Sequence, residues 1–375
     1  ERGQYWYHAF LAEQPDLNWR NPAVAKAQHD VMRFWLARGV DGFRVDAMWH
    51  LLKDPRWRDN PPNPDFRPGE PAIREFLQIR TADLPETVEV VKGLRRVLDE
   101  FPDRAMIGEL YLGFERIAAY YGEALDGCHL PFNQHLIMDP WRAEVVARAI
   151  ETYEEALPAG AWPNWNLGNP DNPRVASRLG PAQARVAAMF LLTARGTPIL
   201  WQGDELGLVN GVVPPDRVRD PQETREPGLV DHNRDIARTP LPWDGSPHAG
   251  FSTVEPWLPL GPDHATSNVA AEARDPRSML SLHRRLIALR RAHPALSVGD
   301  VTVLTGANDV LAYVRSHGDQ RFVVALDFSH QPRDVALPEA AGGRIVLTTG
   351  LDRDGEIVGE NLRLGADEGV VIAVD

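Results

Sequence analysis

Three carboxylic acids in this sequence stand where short β-prone runs give way to loops: Asp46 after GFRV, Glu109 after AMIG and Asp171 after NWNLGNP. In a parallel α/β protein the C-terminal ends of the strands are where loops converge and active sites are built. Any single strand-end acid serves equally well as a helix cap or an arginine partner. Three of them at successive strand ends shift the balance towards chemistry, as does Arg44, two residues before Asp46 and so on the same strand face. An arginine buried beside a carboxylate favours its ionised form, which suits a nucleophile. A glutamate emerging from the apolar run Met106-Ile107-Gly108 can instead have its pKa raised and act as a proton donor. One ionised and one protonated carboxyl across a cleft is the equipment of glycoside hydrolysis.

Elements that could hold these acids in place are readable in the periodicity. Residues 21–39 carry a set of helix signals, with Asn21 as cap, Pro22 in the first turn and Gly39 past the end. Val24, Ala27, Val31, Phe34 and Trp35 recur at helical spacing and predict the buried face. The strand candidate 40–46 follows, with Phe43 and Val45 on one side. The same helix-then-strand unit recurs with Val88, Val91, Leu94, Leu98 and Phe101 before AMIGEL, and again from Pro181 to Gly196 before TPILWQGDELG. Residues 164–171 form a further strand candidate. Alternation at these lengths predicts parallel strands with crossover helices. There is no GxGxxG and no P-loop to make the architecture nucleotide-binding.

Residues 203–275 turn to Pro, Gly, Asp, Asn and Trp without period, and loops of that length are usually functional. A last amphipathic helix around Leu282, Leu286 and Leu289 carries Arg284, Arg285, Arg290 and Arg291 as a solvated or salt-bridged face. Beyond Pro294 the pattern becomes short apolar runs separated by turns, as in an antiparallel β-domain, so a boundary is expected near residue 295.

Composition narrows the function classes. The 375 residues include 40 Lys and Arg against 53 Asp and Glu, a net charge of −13 that phosphate backbones and anionic lipid would repel. Nucleic acid and membrane are therefore not expected as partners. The lone cysteine, Cys128, cannot form an internal disulfide, and a cytoplasmic location is the expectation. The opening ERGQYWYHAF is neither a signal nor a transit peptide and reads like the middle of a longer chain.

The segments GVDGFRVDA, MIGELYL and LGNPDNPR, in this order, resemble three signature regions of glycoside hydrolase family 13, the α-amylase superfamily. HAFLAEQPDLNWRNPAV and RDIARTPLPWD are similar to its α-glucosidase and oligo-1,6-glucosidase branch. The resemblance implies a (β/α)8 TIM barrel, with strands four to eight present, followed by an antiparallel β-sandwich. Residues 1–27 would then be the end of an insertion domain, 28–295 the C-terminal part of the barrel and 296–375 the all-β domain. It further implies Asp46 as nucleophile, Glu109 as general acid/base and Asp171 as transition-state stabiliser. Arg44 would orient the nucleophile, and Arg238 would hold the far side of the −1 glucose. The family retains anomeric configuration, which sets an expected gap between the Asp46 and Glu109 carboxyls of about 5–5.5 Å. Trp49, Trp165 and Phe132 lie near the motifs and are candidates either for sugar stacking or for core packing. Ala47 resembles the small residue of branches that favour α-1,4 over α-1,6 linkages, where Val is typical.

Two departures from the family pattern matter. The fourth region normally reads Asn-His-Asp, whereas this chain has Asn169-Pro170-Asp171, and proline supplies neither a side-chain donor nor an N–H. No Asp-x-x-x-Asn-His region precedes Asp46. The resemblance places that region in a further N-terminal segment, which would complete the barrel and, in some members, carry a Ca²⁺ or Mg²⁺ loop. No cofactor is expected in the residues at hand. The expected activity is retaining hydrolysis of terminal α-linked glucose from a small α-glucoside or malto-oligosaccharide through a glucosyl-Asp46 intermediate. The alternatives are a transglucosidase or isomerase, and an impaired or non-catalytic sugar- or protein-binding relative.

Overall fold

A computed structural model describes residues 3–225 and 233–374, which fall into two compact units. One is formed from Glu1–Asn133, Ala156–Trp162 and Pro221–Asp231, the other from Gln134–Glu155, Pro163–Asp220 and His232–Asp375.

In the first unit a helix, α1 (Pro22–Leu36), starts where the sequence says it should: the Asn21 side chain accepts from the Ala23 N–H at 3.0 Å and proline occupies the first turn. It leads into β1 (Gly42–Val45), which pairs in parallel with β2 (Ala105–Gly108), and β2 pairs in parallel with β3 (Leu130–Pro131). The helix α2 (Thr87–Leu98) precedes β2 and buries Val91, Leu94, Val97 and Leu98 against Met48, Met106 and Leu110. Phe43 and Val45 pack on the same cluster, so strand alternation sends Arg44 to the opposite face.

The expected buried face of α1 is not the observed one. Met32 and Leu36 are inside, while Val31, Phe34 and Trp35 are about half-exposed at 48%, 48% and 47%. The apolar stripe is wide enough to present two faces, and the first unit's core meets the one centred on Met32 and Leu36. The Phe34 and Trp35 rings meet edge to face at 5.2 Å, with the Arg38 guanidinium over Phe34.

In the second unit β4 (Asn164–Asn166) and β5 (Thr197–Ile199) pair in parallel, joined through an almost wholly buried helix, α3 (Pro181–Thr193). Behind them a five-stranded sheet, with two further strands paired beside it, spans Asp300 to Val374 and is antiparallel throughout. In its strand Val310–His317 the first six residues are buried: Val310, Ala312 and Val314 enter the β-domain core, while the Tyr313 ring meets Phe190 of α3 at 6.3 Å. No described helix is long and apolar enough to cross a membrane.

Candidate active site

The expected residues gather into two clusters, one in each unit. In the first unit β1 delivers Arg44 and, one residue past its end, Asp46; β2 delivers Glu109 one residue past its own end. Because β1 and β2 are parallel and in register, Val45 opposite Gly108, the two acids leave adjacent strands side by side. One guanidinium joins them: Arg44 Nη1 donates to Asp46 Oδ1, and Arg44 Nη2 lies 3.0 Å from Glu109 Oε2.

Their environments differ sharply. The Asp46 side chain is 76% exposed and that of Glu109 only 9%. Burial pushes the Glu109 carboxyl up to about 7, against the opposing pull of the Ala47 N–H and Arg44. Arg44 itself is not the buried residue expected: its side chain is 41% exposed, because the face of β1 opposite Phe43 and Val45 is open among the described residues.

Trp49 and Phe132 stand nearby. Trp49 is half-buried, packed on the core and in ring contact with His50 at 4.7 Å and Tyr111 at 5.7 Å. Phe132, also half-buried, follows β3, and its N–H donates to the Gly108 carbonyl at 2.7 Å, which ties it to the strand carrying Glu109. Trp165 has to be removed from the sugar-stacking candidates. Every residue of β4 is buried, and Trp165 sits between Tyr153 and Phe190, with ring centroids at 5.6 Å from both, and donates its Nε1 to the Arg195 carbonyl.

In the second unit Asp171 follows β4 on a loop shaped by Asn169. The buried Asn169 Oδ1 accepts from the Asp171 N–H and from Asn172 Nδ2, both at 3.0 Å, an Asx turn that sets the backbone at the acid. Arg238 brackets the same loop, its Nε on the Pro170 carbonyl at 2.8 Å and its Nη2 on Asp171 Oδ1 at 2.7 Å. In this structure Arg238 therefore holds the acid and its loop.

Two contributors escaped the sequence reading. Ala47 acts through its backbone N–H, which no side-chain pattern reveals. Arg234, which also reaches Asp171 Oδ1 at 3.2 Å, lies at the head of the quoted RDIARTP segment and could have been found there. Among the described residues no group of three His, Cys, Asp or Glu side chains is placed to hold a metal ion.

Known proteins resemble this chain along its whole length. The family description "Alpha amylase, catalytic domain" matches residues 1–299. Maltase A1 of Drosophila melanogaster is 33% identical over 384 residues, covering 95% of this chain and 66% of the relative. A probable alpha-glucosidase of Rhizobium meliloti (strain 1021) is 35% identical over 354 residues, covering 90% of this chain and 64% of the relative. The chain thus spans just under two thirds of the length of these curated relatives. Among solved structures, the alpha-glucosyl transfer enzyme XgtA superposes with a TM-score of 0.88 at 32% identity, covering 99% of this chain and 71% of that one.

Proposed function

The chain belongs to the α-amylase family and carries its (β/α)8-barrel catalytic fold, followed in sequence by an antiparallel β-domain, and from that premise we propose that it serves as a retaining α-glucosidase. Its substrates are maltose-like oligosaccharides ending in an α-1,4-linked glucose, and Asp46 forms the covalent glucosyl intermediate. The observation that carries this reading is the pairing of an exposed Asp46 with a buried, proton-holding Glu109 on the single guanidinium of Arg44. A retaining pair must sit close enough for one carboxyl to attack the anomeric carbon while the other protonates the leaving oxygen, and two acids that leave adjacent, in-register parallel strands onto one guanidinium support that arrangement.

In the first step the Glu109 proton passes to the glycosidic oxygen as the Asp46 carboxylate bonds to the anomeric carbon and the glycosidic C–O bond breaks, releasing the rest of the oligosaccharide as an alcohol. In the second, Glu109, now ionised, takes a proton from water as that water displaces Asp46. Asp171 stabilises the positive charge that builds on the sugar ring in both steps, and Arg44 holds Asp46 for attack.

Two further readings have specific support. Similarity to a glucosyl transfer enzyme favours a sugar, rather than water, as the acceptor in the second step. Pro170 in place of the usual histidine favours a weakened or non-catalytic relative. A mechanism-based 2-deoxy-2-fluoro-α-glucosyl or 5-fluoro-α-glucosyl fluoride tests all three. Labelling located on Asp46 by peptide mass mapping, followed by release of the fluorinated sugar in water, supports the hydrolase. Release only when maltose is added supports the transferase, and no label supports the non-catalytic relative.

A further inference from the structure

Behind Asp171 runs a chain of charges within the second unit. Asp220, whose side chain is 1% exposed, accepts the Arg234 guanidinium through both oxygens, Nε on Oδ2 at 2.7 Å and Nη2 on Oδ1 at 2.5 Å. The third guanidinium nitrogen, Nη1, donates to Asp171 Oδ1 at 3.2 Å. Asp220 is itself fixed from behind: the Asp235 carboxylate accepts the backbone N–H groups of Asp220 at 2.9 Å and Arg219 at 2.6 Å. Asp235 is 3% exposed. It is held in turn by its place on the short helix Arg234–Ala237, whose Asn233 cap accepts from the Asp235 N–H at 2.9 Å.

A guanidinium gripped bidentately by a buried carboxylate has no rotation left, so its remaining N–H points to one place. That place is Asp171 Oδ1, where the Arg238 donor arrives as well. A carboxylate that stabilises a transition state has to be aimed before the substrate arrives, because reorientation during the reaction adds to the barrier.

We propose that Arg234, pinned by the buried Asp220, is a positioning residue that sets the orientation of the Asp171 carboxylate. This rests on the reading of Asp171 as the stabilising acid. Arg234 is not itself a catalytic residue; it acts on the reaction through Asp171.

The test uses Arg234→Gln, Arg234→Lys and Asp220→Asn in the full protein, each taken through a crystal structure, a thermal melt and turnover of an aryl α-glucoside. The expected structural result is an Asp171 carboxylate that leaves its Arg238 contact in Arg234→Gln. The expected kinetic result is a kcat lowered on the order of 10²-fold with KM changed far less. Arg234→Lys keeps the charge and loses the fork, so it should fall between the two. Asp220→Asn should lower kcat too, and add little when combined with Arg234→Gln, since both act through one linkage. An Asp171 that stays in place in the Gln and Lys variants overturns the proposal, as does a rate loss that follows melting temperature alone. An unsubstituted protein without turnover counts against the glucosidase reading, and the variant structures then still decide whether Arg234 places Asp171.

Discussion

The Ala47 N–H donates to Glu109 Oε2 at 3.0 Å from a residue held in the left-handed region, φ 40° and ψ 45°. A non-glycine residue there is disfavoured by about 1–2 kcal/mol. The turn is kept in that conformation with its N–H aimed at the carboxylate of the neighbouring strand. Despite that bond and Arg44, burial prevails and Glu109 keeps its proton to about pH 7.

That places the alkaline limb of the pH profile. The rate on an unactivated disaccharide should fall above about pH 7 as Glu109 loses its proton. Stability follows the same sign: the folded value lies above the ordinary one, so the Glu109 contribution is full below about pH 4.5 and is lost as pH rises through 7. Glu109→Gln should abolish maltose hydrolysis, keep some turnover of glucosyl fluoride, which needs no proton to leave, and remove the limb. A limb unchanged in that variant would assign it to another group.

Pro170 offers Arg238 its carbonyl at 2.8 Å and has no donor for a sugar hydroxyl. Its replacement by histidine leaves that carbonyl in place and restores a ring N–H beside Asp171. A donor of this kind is worth roughly 2–4 kcal/mol in the transition state, about 10²–10³ in rate. Pro170→His should therefore raise kcat on an α-glucoside, and equal rates in side-by-side assays would dismiss the missing donor as a cause of weak activity.

The places of Arg44, Asp46 and Glu109 at the ends of neighbouring strands were legible because they are sequence properties, whereas the strand expected to run to Asp171 ends at Asn166 and leaves that acid on a loop. The α1 cap at Asn21 was legible too, since it depends on neighbours a few residues away. Exposure was not legible. Val31, Phe34 and Trp35 have the spacing of a buried face, yet periodicity reports only which residues share a side, not what covers it. Trp165, open in the sequence between sugar stacking and core packing, is a core residue: a strand buried on both faces has no sugar-facing side, and nothing in NWN distinguishes it from a half-buried one. Arg234 and Asp220 are 14 residues apart in sequence and meet only through the long aperiodic segment, where no repeat pattern signals a partner.

Asp204 gives a second pH-dependent quantity. It is 9% exposed, burial pushes it up to about 7, and its Oδ1 meets no donor among the described residues. Arg174 and Arg178 oppose the shift and Glu205 adds to it, while the buried His283 shares the same apolar cavity. Its folded value is raised, so stability from the protonated form is full below about pH 4 and fades as pH rises through 7. Asp204→Asn mimics the protonated form at every pH. Differences in melting temperature between variant and parent should be small at pH 4 and below, grow through pH 5 and 6, and level off between pH 7 and 8 in favour of the variant, on the order of 4 kcal/mol for a shift of this size. Parallel curves across that range would mean Asp204 does not titrate there.

Arg315 fastens the β-domain to the end of α3. It is fully buried, with burial lowering its pKa to about 10, and it spends its donors on main-chain carbonyls: Asp300 from Nε at 3.1 Å, Leu296 from Nη1 at 3.1 Å, Gly299 from Nη2 at 2.9 Å, and Thr193 from Nη1. Beside it the Tyr313 hydroxyl shares a 2.6 Å hydrogen bond with Thr193 Oγ1. Among the described residues no carboxylate is bonded to this arginine, so its worth lies in the four carbonyls it satisfies. Arg315→Met keeps much of the volume and leaves all four acceptors unmet, at a cost of about 3–5 kcal/mol. Arg315→Lys can reach one or two of them and should fall about halfway. Urea or thermal unfolding of the three proteins at fixed pH measures the series, and a methionine variant within about 0.5 kcal/mol of the parent would mean that these carbonyls find other donors.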